Sequence, residues 1–386
     1  MRRVFWPVGQ GAFYSEMFTH SEYGRDVAIV YDCGSLSGMD YISDAINKMS
    51  CDVNEIAALF ISHLDRDHIN GLSLLFEKFR IRRIYFPMLT RGDKILLSVA
   101  NRLKHHEDYD FISAFIDNPR ECVTRLVKNR EEMAELVTVL ADTQEDVLAY
   151  DRDWGAEFNQ NAYNSDDGIN FFDPRNSVNG IDIFDDNHGA GDFYWRYIPH
   201  NFRQSKRINI LIRELQARRI GIKELETFSP SAKKFALIKE AYKVVPGSLN
   251  TNSMTLYSGP DDKNGRSCVA SVYRPCGTCR AKYLEYKAGC LYTGDYDALG
   301  DDKWNSLANA YRNHWDDIGC VQIPHHGSKY NFNDKFLQMC ALNVMSVGLG
   351  NKHHHPSVDV LAKYQEYEFP FIVTQEPRSL LCMHVF

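Results

Sequence analysis

The chain has 386 residues, 44% of them hydrophobic and 12% aromatic, with a formal net charge of −7. That length can bury a substantial core in one large domain or two smaller ones, and the composition excludes a disordered protein. The acidic balance argues against nucleic acid coating the whole surface, although a local basic groove stays open. No apolar run nears the length of a membrane span and the start lacks a signal-peptide core, so a cytoplasmic location with no membrane partner is expected.

Residues 3–35 read as two strands broken by Gly9, Gly11 and Gly24. Met39 to Met49 has the apolar spacing of a helix, with Ser35 or Ser37 as its cap. Ile56 to Ile61 is an apolar run too short for a helix and reads as a buried strand; Leu72 to Phe79 follows as a short helix and Ile81 to Phe86 as a strand. This alternation predicts a layered α/β architecture. From Leu89 to Tyr150 the period becomes helical: Ile95, Leu96, Val99 and Leu103, then Met133, Leu136, Val137 and Leu140, fall at three- and four-residue steps.

Asp151 to Asp192 is rich in Asp, Asn and Gly, carries Trp154, Phe158 and Phe171-Phe172, and reads as a surface excursion or lid. Phe193 to Ile198 returns as an aromatic strand ending in Pro199-His200-Asn201. Gln204 to Lys243 is helical and basic, a stripe that suits phosphate contact as well as plain solvation. Ten cysteines from Cys33 to Cys382 form no compact framework and read as free thiols in a reducing compartment. Cys276 and Cys279 are the one close pair, which suits half of a zinc ribbon, a redox pair or a hairpin loop.

The chemistry concentrates behind the strand ending at Ile61, where His63, Asp65, Asp67 and His68 fall within six residues. Imidazole and carboxylate together suit zinc, and carboxylates also tolerate manganese or iron. In an extended segment His63 and Asp65 project the same way, and Asp67 and His68 then turn aside, so one loop can face two metal positions. His325 follows the strand Val321-Gln-Ile323 and repeats the placement of His63; His326 points differently. Asp295 follows the strand Cys290 to Tyr292 on a Gly294 turn, with Asp297 close by, and His200 also ends a strand.

Ile-Ser-His-Leu-Asp-Arg-Asp-His, starting at Ile61, resembles the metallo-β-lactamase superfamily motif H-x-H-x-D-H, and more closely the soluble hydrolase domain of the ComEC/Rec2 competence proteins. Val8-Gly9-Gln10-Gly11, Val30-Tyr31-Asp32-Cys33-Gly34, Asn250-Thr251-Asn252-Ser253, Leu291-Tyr292-Thr293-Gly294-Asp295, Pro324-His325-His326-Gly327-Ser328 and His353-His354-His355-Pro356 resemble further motifs in family order. The resemblance covers roughly residues 1–95 and 193–386. It implies an αββα sandwich whose two halves are those segments, the second carrying the basic stretch 204–243, with 96–192 as a helical and irregular insertion. One departure is Asp65, which stands where the motif has its second histidine.

The resemblance further implies two divalent ions, zinc or manganese, with Asp295 bridging them. His63, Asp65 and His200 would hold one; Asp67, His68 and His325 the other. Asp32 would orient a ligand imidazole. His355, by matching the family's H-P pair, would contact substrate oxygen or protonate the leaving group; His353 is its runner-up. Asp67 and His326 would assist catalysis, and Ser328 would let backbone approach the substrate. Two close ions acidify a shared water into a bridging hydroxide, which is hydrolytic chemistry. The competence branch favours phosphodiesters, in a nucleic-acid strand or a small or cyclic nucleotide. The other expectations are a phosphocholine or small organophosphate esterase, and a metal-bound sensor or partner module without catalysis. The extra carboxylate of Asp65 should make activity with manganese at least equal to that with zinc.

Overall fold

The structure, a computed structural model, describes residues 1–18, 26–104, 111–127, 132–141, 165–175, 180–181, 183, 195–202, 205–221, 232–245, 253–260, 269–274 and 282–386. Asn250 to Asn252, Trp154, Phe158, Cys276 and Cys279 lie outside these residues.

Residues 2–35 form three strands rather than two: β1 (Arg2–Phe5), β2 (Gly11–Phe18) and β3 (Val27–Ser35). β4 (Glu55–Phe60), β5 (Arg80–Pro87), β6 (Glu135–Val139) and β7 (Ile169–Phe172) run parallel to β3 and to one another. β8 (Trp195–His200), β9 (Thr255–Pro260), β10 (Val269–Arg274), β11 (Lys282–Lys287), β12 (Gly289–Tyr292), β13 (Ile318–Gln322), β14 (Leu342–Ser346), β15 (Phe371–Val373) and β16 (Leu381–Val385) complete the set. Among the described residues these strands make two mixed sheets. The larger has the order β11-β10-β16-β1-β2-β3-β4-β5-β6-β7, the smaller β15-β14-β13-β12-β9-β8.

The segment expected to be helical around Met133–Leu140 is therefore a strand. Its core, Glu-Leu-Val-Thr-Val, is rich in β-branched residues, and all but its first residue is buried. A strand covered on both faces loses the apolar–polar alternation that marks a half-exposed one, and its three- and four-residue apolar spacing imitated a helix. β6 and β7, the described strands of the stretch 96–192, belong to the large sheet. Helices do form at Arg91–Lys104, Phe111–Asp117 and Pro119–Leu126.

The helix at Met39–Met49 falls where its spacing predicts, burying Ile42, Ala45, Ile46 and Met49 along one face. Its cap differs: Gly38 occupies the position, with no side-chain cap bond. The two candidate serines tie loops together instead. Ser35 Oγ donates to the Val8 carbonyl at 2.6 Å, and Ser37 Oγ accepts from Gln10 N at 2.8 Å.

One apolar cluster joins the two sheets, taking Phe5, Tyr14 and Phe60 from the larger and Trp195, Tyr292 and Val344 from the smaller. A second packs the larger sheet on the helices at 39–49, 72–78 and 111–117, and a third packs the smaller sheet on those at Asp301–Ala310 and Val358–Lys363. Among the described residues the basic stretch has helices Ser205–Ala217 and Ala232–Lys243, whose Leu211, Leu215 and Ile238 form a fourth cluster with Ile95.

Between the sheets lies an ion pair. Arg3 Nε donates to Glu16 Oε1 at 2.8 Å, and both residues are buried. Glu16 also accepts from the hydroxyls of Tyr197, Ser258 and Tyr292, all on the smaller sheet, at 2.6–3.0 Å. Hydrogen bonds on the spare lone pairs are what make a buried carboxylate tolerable.

Candidate metal centre

β3, β4, β8, β12, β13 and β14 all end at one edge of the two sheets, and the segments leaving them carry the titratable groups. In open α/β sheets this carboxyl edge is where ligands bind. β4 runs into Ser62 and His63, and a one-turn helix, Arg66–Ile69, then presents Asp67 and His68. That turn lies against the end of β3 because position 34 is glycine: a Cβ there would sit 2.4 Å from the Asp67 carbonyl carbon. β12 gives Asp295 through Gly294, whose φ of +54° is costly for any residue with a Cβ. After β13, His325 and His326 take positive φ (50° and 58°), so the two imidazoles diverge.

Among the described residues two groups converge. His63, His68 and Asp295 form one; Asp67, His68 and His326 form the other, with the ligand atoms of each group within 4.8 Å of one another. His68 Nε2 lies 3.4 Å from Asp295 Oδ1, while His63 Nε2 and His325 Nε2 each lie 3.7 Å from Asp295 Oδ2. His326 Nε2 is 3.4 Å from Asp67 Oδ2.

The second nitrogen of each imidazole decides what the first can do. His68 Nδ1 meets Asp32 Oδ2 at 2.7 Å, and a carboxylate only accepts, so the proton is on Nδ1. Ser62 Oγ donates to the same oxygen at 2.7 Å and so accepts from His63 Nδ1 at 2.9 Å. His326 Nδ1 donates to the Ser346 carbonyl at 2.7 Å. All three rings thus commit Nδ1 elsewhere and turn Nε2 toward Asp67 and Asp295. His63 Nε2 and His68 Nε2 are buried and make no hydrogen bond of normal geometry. Burying such atoms opposite carboxylates is costly unless a cation joins them, and a divalent metal fits this donor set.

Burial tends to lower the pKa of His68, but the Asp295 and Asp32 carboxylates outweigh it and raise that pKa well above the usual histidine value. His326 is likewise raised, chiefly by its hydrogen bond to Asp67, against burial. Burial, with the like charge of His68, lowers that of His63. Burial would raise Asp295 and Asp67, but the facing imidazoles hold both below the ordinary carboxylate range.

Other expected site residues lie around these groups. Asp32, at φ 56° and fully buried, accepts from His68 Nδ1. Asp65 stands at the N-cap position of the one-turn helix without a side-chain cap bond, outside both groups, though its charge reaches His63. His200 belongs to neither group; its ring packs beside Tyr311 and Phe202, with centroids 6.2 and 6.4 Å away. His326, expected to assist catalysis, is in one of the groups, while His325, expected as a ligand, is in neither, its Nε2 3.7 Å from Asp295 Oδ2. Asp297 turns away to Lys303.

Ser328 is buried in its turn, its Oγ accepting from Tyr330 N at 3.3 Å. His355 is half-buried, its ring 5.5 Å from that of His325, and desolvation with the neighbouring imidazoles lowers its pKa to about 4. A neutral imidazole suits contact with a substrate oxygen better than donation of a proton to a leaving group near neutral pH. His353 is exposed and stacks on His355 at 5.8 Å. Sequence reasoning passed over Ser62, hidden inside Ile-Ser-His, and Ser346, which acts through its carbonyl and leaves no side-chain signal. Neither the family models nor the curated proteins compared with this chain give a match.

Proposed function

We propose that the chain is a metal-dependent hydrolase of αββα, metallo-β-lactamase-like architecture, binding two divalent ions and cleaving phosphodiester bonds. The observation that carries the reading is the tautomer arrangement. Ser62, Asp32 and the Ser346 carbonyl engage Nδ1 of His63, His68 and His326, so three Nε2 atoms face Asp67 and Asp295, where a bound metal would take their lone pairs.

His68 has one nitrogen left for metal, so it serves one ion. Asp67, His68 and His326 would hold that ion, and His63 with Asp295 would face the other. Both oxygens of Asp295 point into the cluster, which suits a bridging role. Bound ions of this kind acidify water and neutralise charge developing on oxygen. The chain's own contribution is orientation: Asp32 and Ser62 fix two rings, and the Ser346 carbonyl fixes the third. His355, next to His325 and half-exposed, would meet a substrate oxygen.

The phosphodiester preference rests on resemblance to the competence-protein hydrolase domain, with the basic helical stretch leaning the same way. Its test is elemental analysis of the purified protein, then hydrolysis of a chromogenic phosphodiester, single-stranded DNA and cyclic nucleotides. Two ions per chain with phosphodiester turnover is the expected result. Metal-loaded protein that cleaves none of these but captures a protein partner would favour the sensor reading.

A further inference from the structure

We propose that Gln322 is a positioning residue that locks the turn carrying Asp295 to the turn carrying His325 and so sets the affinity of the centre for metal. The inference rests on the metal-binding reading. Gln322 is the last residue of β13, and its side chain is 4% exposed. Its Oε1 accepts from Thr293 N at 2.8 Å and Gly294 N at 2.7 Å, which fixes the orientation of the amide. Its Nε2 then donates to the Ile323 carbonyl at 2.8 Å and the Gly294 carbonyl at 3.2 Å. Thr293 Oγ1 closes the clamp by donating to the Gln322 carbonyl at 2.6 Å.

The amide therefore ties the two backbone units before Asp295 to the unit two residues before His325. His325 N donates to the same Gly294 carbonyl at 3.0 Å, so the two turns share one acceptor. Beyond the clamp, Asp295 N donates to Ser253 Oγ at 3.0 Å, and its carbonyl accepts from Asn331 Nδ2 at 3.0 Å. A carboxylate gripped on both sides of its own backbone has little freedom to follow an ion, so its place is set by the residues that grip it. Only a side chain with both an acceptor and two donors satisfies this arrangement, and at this length that is glutamine.

The experiment measures zinc affinity of the full chain against a chromophoric chelator for wild type, Gln322→Glu and Thr293→Val, with far-UV circular dichroism and thermal melting of the metal-free proteins alongside. Gln322→Glu keeps the acceptor but sets a carboxylate against two carbonyl oxygens; a folded variant with zinc affinity about 10–100-fold weaker is expected, the range for partners that orient metal ligands. Thr293→Val, which loses only the hydroxyl, should weaken affinity in the same direction and by less. It carries the test alone if Gln322→Glu fails to fold.

A lower melting temperature with zinc affinity unchanged in a folded variant overturns the proposal and leaves a purely structural amide. Wild type that retains no zinc overturns the metal-binding reading itself, and this inference with it.

Discussion

At the scale of single residues, His68 is the hinge of the site, because one of its nitrogens is committed to Asp32 and the other belongs to both converging groups. Asp67→Asn and His326→Ala should therefore each lose one ion per chain on elemental analysis. Asp65→Ala and His200→Ala should keep the wild-type stoichiometry, since both residues lie outside those groups. Loss of an ion from Asp65→Ala would restore the role that the sequence motif suggests for it.

Proton competition gives a second prediction. Burial tends to discharge His68 and His326, but the facing carboxylates prevail and raise both, so without metal these rings take up a second proton more readily than a free imidazole. A protonated ring stabilises its carboxylate partners, and that contribution fades as pH rises through the raised pKa. A metal ion must displace those protons. Zinc affinity should fall as pH falls, and binding should release protons, read by calorimetry in buffers of differing ionisation enthalpy. Affinity independent of pH would show that zinc binds elsewhere.

At the scale of elements, the site consists of turns at strand ends, and their backbones must come close. Gly34 shows how close: a methyl group there would meet the Asp67 carbonyl carbon at 2.4 Å and His68 N at 2.5 Å, atoms of a backbone that cannot swing aside. Gly34→Ala should cost about 1–3 kcal/mol of stability in denaturant unfolding and lower metal retention, whereas an unchanged protein would mean that this turn is free to shift.

The same elements divide what the sequence discloses from what it conceals. The helix at Met39–Met49 and the strand ends at Ile61, Tyr292 and Ile323 were legible because burial on one face, or a polar cluster after an apolar run, leaves a periodic trace. β6 was illegible because it is buried on both faces. The approach of His326 to Asp67 was equally hidden, since two consecutive left-handed residues, not composition, decide which ring turns toward Asp67.

At the scale of the whole molecule, the centre exists only where the two sheets meet. Asp67 and His68 belong to the larger sheet's edge, while Asp295 and His326 belong to the smaller one's. The 3.4 Å between Asp67 and His326 therefore depends on the registry of one sheet over the other. Apolar packing pulls the sheets together without fixing that registry, because it is not directional.

The Arg3–Glu16 pair is directional. Arg3 also donates to the Ala288 carbonyl at 2.9 Å, and Glu16 accepts from Tyr197, Ser258 and Tyr292, so the pair pins β1 and β2 to β8, β9 and β12. Glu16→Ala strands a buried guanidinium and should cost about 3–5 kcal/mol, and Arg3→Met should cost a similar amount. The double variant Arg3→Met/Glu16→Leu should cost less than the sum of the two single changes, since neither charge is then left alone. If the pair sets registry as well as stability, the double variant will recover much of its melting temperature yet still bind zinc more weakly than wild type. Recovery of both together would assign the registry to packing alone.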